Sequence, residues 1–354
     1  MLTCQCLTHE AEIESLAPSW RALHQKHGAT PFTDFDWVWA WAQSVGKPSG
    51  ATLLVIACFD GAALVGLLPF AIERKYTARV LRYAGHDAFY LRTLLAETPE
   101  VTRALWAALR QSNLYDYANI KNLHEGTEEL RLLESFATCI GREPVYYREH
   151  QGLTRTTLYQ AYTRRFRAKL HKIGETMEAQ SDMTFGMSAD GSLLDEAIPF
   201  LVKEKSDWCQ HNGKKGLFES PHAEAFYKAL SQVGVKQGVM RLFWLRRGGK
   251  LAGVLLCFIT KDALYAHTVA YAPAVRSLHP GLFLASAAMI WAAEAGLNET
   301  NFMEGQEFFK TRFATASRLA AEFGYARTLK GHLFFAAWRA RELYRRLRQR
   351  SEKA

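Results

Sequence analysis

The stretch Val239–Lys310, VMRLFWLRRGGKLAGVLLCFITKDALYAHTVAYAPAVRSLHPGLFLASAAMIWAAEAGLNETNFMEGQEFFK, decides how this chain folds. Met240–Leu245 and Leu251–Thr260 are apolar runs of strand length, and Arg247-Gly248-Gly249-Lys250 between them has the chemistry of a tight hairpin. A third run, Ala263–Val269, follows Lys261-Asp262. Tyr271-Ala272-Pro273 opens a loop through Arg276, and Pro280-Gly281 stands at the mouth of a long apolar helix ending near Gly296. Asn301–Lys310 closes the segment. The predicted order is strand, turn, strand, strand, glycine-opened helix, strand.

Around this stretch the chain has 354 residues, enough for two domains with a core each. Its 49% hydrophobic and 22% charged content is that of a folded protein rather than a disordered one. The net charge of +9 suits anionic partners: phosphate-bearing ligands, RNA or an acidic membrane surface. Of the six cysteines, Cys58 and Cys257 lie inside apolar strand runs, where a buried thiol is expected. Cys4-Gln5-Cys6 lacks the second ligand pair of a zinc site. Reduced cysteines, no metal and a cytoplasmic address are expected. The first residues reach Glu10 without a continuous apolar core, so no secretory signal is expected. Ala51–Ile72 has transmembrane length, but Asp60-Gly61 at its middle is a hairpin turn, and a charge there is costly in lipid. Two strands are predicted.

The helix periodicity places Ala11–His27, Val101–Gln111, Leu130–Cys139, Tyr159–Lys172 and Ser192–His211 in helices. Pro31–Asp34 breaks the first and caps a helix carrying Trp37, Val38 and Trp41. Phe218–Pro221 caps another, to about Val233. Val80–Gly85, Tyr90–Leu95, Tyr115–Leu123 and Ala320–Thr328 read as strands, and Gly331–Arg350 as a basic helix. The two halves repeat. Phe32 and Phe218 precede matching helices, Gly66 and Gly253 follow matching hairpins, and Trp106 and Trp291 lie in matching helices, all at nearly one offset. An internal duplication is inferred.

These features resemble the GNAT-superfamily branch typified by CelD, an acetyltransferase type of cellulose biosynthesis, whose tandem fold is shared with the Fem peptidyltransferases. The resemblance covers nearly the whole chain. It rests on the Pro31-Phe32 helix start, the hairpin at 60–70, the basic helix at 164–172, Gly248–Gly253, the Tyr271–Gly281 loop and Phe302–Lys310. It implies an α/β (α+β) fold of two tandem GNAT-like domains, each a mixed sheet flanked by helices. The expected divisions are 1–150, 151–330 with the donor site, and a basic amphipathic helix over 331–354. The implied activity is acyl transfer from acyl-CoA, typically acetyl-CoA, to an amine or hydroxyl of a small polar molecule or saccharide. Aminoacyl-tRNA as donor, as in the Fem type, and a degenerate, non-catalytic binding protein are the alternatives.

The resemblance places the donor's pyrophosphate at the loop entering the long helix. Unpaired amides and the helix dipole make any helix start an anion site. Gly281 admits a ligand to the backbone, and Arg276, Ser277, His279 and Lys310 are the further donor-binding candidates. A plain helix start is the competing interpretation. Deprotonating the acceptor calls for a carboxylate, His or Tyr. Glu304 and Glu307 flank Gly305 where strand gives way to helix or loop, and either suits a general base; pairing of Glu307 with Lys310 is the alternative. His267 and Tyr271 follow the third strand and are placed at the same cleft, against the alternative of a core histidine. His86-Asp87 and Tyr90 form a possible counterpart in the first half. No cysteine or serine sits in a nucleophile elbow, so direct attack is expected. The basic segments 164–172 and 339–354 are solvated faces, or contacts to RNA or an anionic membrane.

Overall fold

The computed structural model describes residues 1–354 except 29, 89–93, 151, 215, 306–307 and 352–354, and except the side chains of 308, 342–343 and 345–351. The chain opens with β1 (Leu2–Leu7), α1 (Glu10–Ser15), α2 (Ala17–His27) and α3 (Phe35–Trp41). Next come β2 (Thr52–Asp60), β3 (Ala63–Lys75), β4 (Ala78–Tyr83), β5 (Leu95–Ala96), α4 (Pro99–Gln111), β6 (Tyr117–His124), α5 (Glu128–Glu134) and β7 (Thr138–Glu149). The second half runs α6 (Arg155–Gln160), α7 (Arg164–Glu178), β8 (Met183–Ser188), α8 (Leu194–His211), α9 (Ala223–Lys236), β9 (Met240–Arg247), β10 (Lys250–Ile259) and β11 (Ala263–Tyr271). It ends with α10 (Pro280–Glu294), β12 (Glu299–Glu304), α11 (Phe308–Phe313), β13 (Ala316–Ala326) and α12 (Leu329–Ser351).

Two compact units result: unit 1 is Met1–Arg142 with Ala320–Ala354, and unit 2 is Glu143–Leu319. Unit 1 orders its strands β1-β2-β3-β4-β6-β13. Among its described residues only β4 and β6 run parallel, paired at Val80↔Tyr117 and Leu81↔Ala118. Unit 2 has the order β7-β12-β11-β10-β9-β8, with β11 and β12 parallel. In each unit a hairpin is followed by a third antiparallel strand, and a helix then crosses to a parallel neighbour. A parallel pair requires such a crossover, whereas the hairpins need only their short turns.

The repeat seen in the sequence has a packing cause. In unit 1, α4 lays Val101, Leu105, Trp106 and Leu109 on Leu54, Ile56, Leu68 and Phe70. A Cβ on Gly66 would meet Val101 Cγ1 at 2.4 Å, so only glycine admits the helix this closely. In unit 2, α10 packs Leu284, Ala288 and Ala292 on Leu245, Leu255 and Leu264, and a Cβ added at Gly253 would lie 3.4 Å from Leu284 Cδ1. The two glycines of the repeat thus occupy the same place beneath the crossover helix.

Several expectations are corrected. Ala11–His27 is two helices, because Pro18 would collide with the carbonyl of Glu14 in a continuous one. Pro18 instead sits in the first turn of α2. The helix expected over Leu130–Cys139 stops at Glu134, and Cys139 belongs to β7, where Thr138 and Ile140 favour strand. Tyr159–Lys172 is likewise interrupted: Thr154 and Thr157 form a capping box for α6, and Thr163 caps α7. Edge strands β1 and β8 were not anticipated. Most of the strand expected at Tyr90–Leu95 lies outside the described residues.

Candidate functional site

In unit 2 the parallel ladder between β11 and β12 covers only Ala263↔Glu299, Leu264↔Thr300 and Tyr265↔Asn301. Past Tyr265 the strands part. The cause lies in β12, whose register against β7 slips between Asn301 and Glu304. Met303 takes a left-handed φ of 64°, and Asn301 Oδ1 accepts the Met303 amide at 2.9 Å. A bulge of this kind bends its strand away from the neighbour. For a non-glycine residue the left-handed backbone costs about 1–2 kcal/mol, offset here by full burial of the Met303 side chain. The result is a wedge opening toward the C-terminal ends of β11 and β12.

The start of α10 stands beside the far half of β11. A Cβ on Gly281 would meet Tyr271 Cε1 at 3.3 Å and Val269 Cγ2 at 4.0 Å. Pro280 has no N–H, and the amides of Leu282 and Phe283 both donate to the His279 carbonyl oxygen, at 3.0 and 3.2 Å. That leaves the Gly281 amide as the open donor of the first turn. His279 holds φ 57°, so the chain turns sharply into the helix. Val275 is buried and anchors the preceding 3-10 turn, while Arg276, Ser277 and His279 are exposed. Three polar side chains therefore surround an open helix start, which suits an anionic group.

Glu304 ends β12, half-buried, and Lys310 of α11 is buried with its Nζ donating to the Glu304 carbonyl oxygen. This ties α11 to the mouth of the wedge. Glu307 falls outside the described residues, as does Tyr90. Tyr271, Gly281 and the exposed loop come together at the helix start, and Glu304 and Lys310 come together at the end of β12.

His267 does not join Tyr271, and the expectation that the two share a cleft is corrected. The ladder between β10 and β11 shifts so that Leu256 faces Thr268 and Cys257 faces Ala266, leaving His267 as the extra residue. It turns to the face opposite α10, between the rings of Tyr227 (5.8 Å) and Phe258 (5.6 Å). Burial, and secondarily the charge of Lys205, lowers its pKa to about 4, so the imidazole is neutral at pH 7. In unit 1, Asp87 accepts the Trp41 indole N–H at 2.9 Å, and His86 lies 3.1 Å from Arg82 and 3.4 Å from Glu73. These are local ties that hold α3 and β4.

One residue escaped the sequence reasoning. Arg148 of β7 is 1% exposed and has no carboxylate partner among the described residues. Its guanidinium donates to the carbonyl oxygens of Phe313 (3.4 Å) and Leu158 (3.2 Å) and stacks over Tyr162 at 4.4 Å. Both carbonyls lie at helix C-terminal ends, of α11 and α6, where the helix dipole favours a cation. Arg148 therefore positions α11, which carries Lys310. In the sequence it is one arginine in a strand, with nothing to distinguish it.

Among the described residues no group of three or more His, Cys, Asp or Glu could hold a metal, and no helix is long and apolar enough to cross a membrane. The sequence family described as "Acetyltransferase (GNAT) domain" matches residues 162–311. No curated protein matches the chain in sequence. Among solved structures, FemX is similar with a TM-score of 0.63 at 12% identity, over 91% of this chain and 97% of that one. A tandem GNAT protein from the clavulanic acid biosynthesis pathway is similar at 0.53 and 12%, over 93% and 99%. So is the C-terminal domain assigned to a lysylphosphatidylglycerol synthetase from Agrobacterium fabrum, at 0.55 and 11%, over 92% and 95%. The chain has the GNAT acetyltransferase fold, in tandem.

Proposed function

We propose that the protein is an acyltransferase of the CelD type that uses acyl-CoA as donor and the amine or hydroxyl of a small polar molecule or saccharide as acceptor. The parting of β11 from β12 beside the open start of α10 carries this proposal. A wedge between parallel strands leaves main-chain donors and acceptors of β11 free to pair with an extended amide-bearing ligand, as an added strand does. The Gly281 amide and the exposed Arg276, Ser277 and His279 fit the donor's phosphates. Glu304, or Glu307 beyond it, serves as the base that takes the acceptor's proton, and Tyr271 borders the same mouth. Attack is direct.

Purified protein is heated with acetyl-CoA, longer acyl-CoAs and free CoA. A ligand at about 100 times its Kd adds roughly 2.7 kcal/mol to the folded state. In Gly281→Glu the new carboxylate repels phosphate, so binding is lost; because its Cβ presses on the Tyr271 ring, the shift on adding CoA is read against the variant's own melting temperature. No shift with any CoA would overturn the proposal. Retained CoA binding without turnover on any acceptor would favour a degenerate binding protein.

A second donor is favoured by a specific observation. Arg164, Arg165, Arg167, Lys169 and Lys172 of α7 are all exposed, and only one first-turn amide of α10 is open. Both suit aminoacyl-tRNA. RNA binding that weakens steeply with salt, in a protein indifferent to CoA, would select it.

A further inference from the structure

The inner side of α12 docks on unit 1. Gly331 is buried, and an added Cβ would lie 1.9 Å from the Asp116 carbonyl oxygen. Phe334 and Phe335 pack on Tyr117 with ring centroids at 5.4 and 5.2 Å, and Trp338 stacks on Phe335 at 6.1 Å. The apolar residues of α12 fall on two faces. Leu329, Leu333 and Tyr344 are 76%, 65% and 67% exposed, with exposed Ala336 and Ala340 between them. At about 100° per residue these five positions fall within roughly 80° of arc, directly opposite 331, 334, 335 and 338. Lys330 and Arg341 are exposed on one flank of this line, and His332 and Arg339 on the other.

A helix that only docks on its own domain has charge on its outermost line. Here the outermost line is apolar and the cations flank it. We propose that this face of α12 is a lipid-binding surface, laying the helix in the interface of an anionic membrane. Apolar side chains enter the acyl boundary while the flanking cations meet acidic headgroups, which is how interfacial helices bind. The sequence supplies the complementary charge: from Arg339 onward it has seven Lys and Arg against Glu342 and Glu352, within a chain of net charge +9. No described helix spans a membrane, so α12 lies on the surface rather than through it. A second copy fits this face poorly, because mating two such stripes brings the basic flanks together. RNA has no use for exposed leucines along the contact line. The surface is independent of which donor unit 2 takes.

The full chain is sedimented with vesicles of phosphatidylcholine alone and of phosphatidylcholine mixed with phosphatidylglycerol. The expected result is binding to the mixed vesicles only. Leu333→Glu with Tyr344→Glu weakens that binding at least tenfold or so at low salt, and Arg339→Glu with Arg341→Glu does the same. These positions are exposed, so melting temperatures match the parent. Equal binding to both vesicle types, or binding to neither, overturns the proposal. So does a Leu333→Glu, Tyr344→Glu protein that binds like the parent. RNA binding that competes with vesicles and ignores the leucine change assigns the face to nucleic acid. Self-association abolished by that change, without vesicle binding, assigns it to a second copy.

Discussion

His267 provides the sharpest test of how unit 2 is built, because its core role and a catalytic role predict opposite pH behaviour. Burial lowers its pKa from 6.5 to about 4. A base whose folded pKa is depressed binds protons better unfolded, so its contribution is complete above pH 6.5 and is lost as pH falls toward 4. With these values, moving from about pH 7.5 to about pH 5 costs roughly 2 kcal/mol. The perturbation is His267→Leu, of similar volume and set between the same Tyr227 and Phe258 rings. Urea denaturation of parent and variant at both pH values yields two acid losses. Comparing losses rather than absolute stabilities cancels the packing cost of the substitution. It also cancels His150, whose pKa burial lowers to about 4 in both proteins. The variant is expected to lose about 2 kcal/mol less than the parent and to keep its response to acyl-CoA. Equal acid losses would refute the assignment of His267 to the core. Loss of the acyl-CoA response in a variant as stable as the parent would return it to the active site.

Other outcomes follow from the same geometry. Asp116 accepts hydrogen bonds from Arg79 and Thr328, and chiefly the Arg79 contact pulls its carboxyl down to about 2. Its stabilisation is present above pH 3.8 and fades as pH falls toward 2. Arg79 is 38% exposed, so Asp116→Asn should cost a discounted value of about 1–2 kcal/mol at pH 7, with the gap to the parent roughly halved by pH 3 in urea titrations. Arg148→Met removes the cation from two helix-end carbonyls and should cost about 3 kcal/mol in the unfolding of unit 2. Gly66→Ala forces a methyl onto Val101 and should destabilise by about 1–3 kcal/mol, while Gly253→Ala, at ordinary contact distance, should be near neutral by thermal melting.

The hairpins at Asp60-Gly61 and Gly248-Gly249 were legible because turn chemistry and apolar runs are local properties. Gly61 in the first turn and Gly248 and Gly249 in the second take left-handed backbone positions. The crossover helix α4 was legible from periodicity, and α10 from its long apolar run and the Pro280 at its first turn. Breaks at Pro18 and Thr163 were missed because short amphipathic pieces share one continuous period, and the caps that separate them are weak signals.

The hairpins, the crossover helices, their repetition and the candidate residues around the start of α10 can be read from the sequence. Backbone propensity, turn chemistry and hydrophobic period act over a few residues, so they can be read along the chain. The face each candidate occupies depends on strand pairing between distant segments. A one-residue bulge carried His267 away from Tyr271, and another at Met303 opened the wedge. Side chains alternate with a period of two, so one extra residue reverses the face, and no composition or motif records it. The docking of α12 was settled in the same way, since Tyr117, Gly324 and Asp116, distant in sequence, decide which side of that helix turns inward.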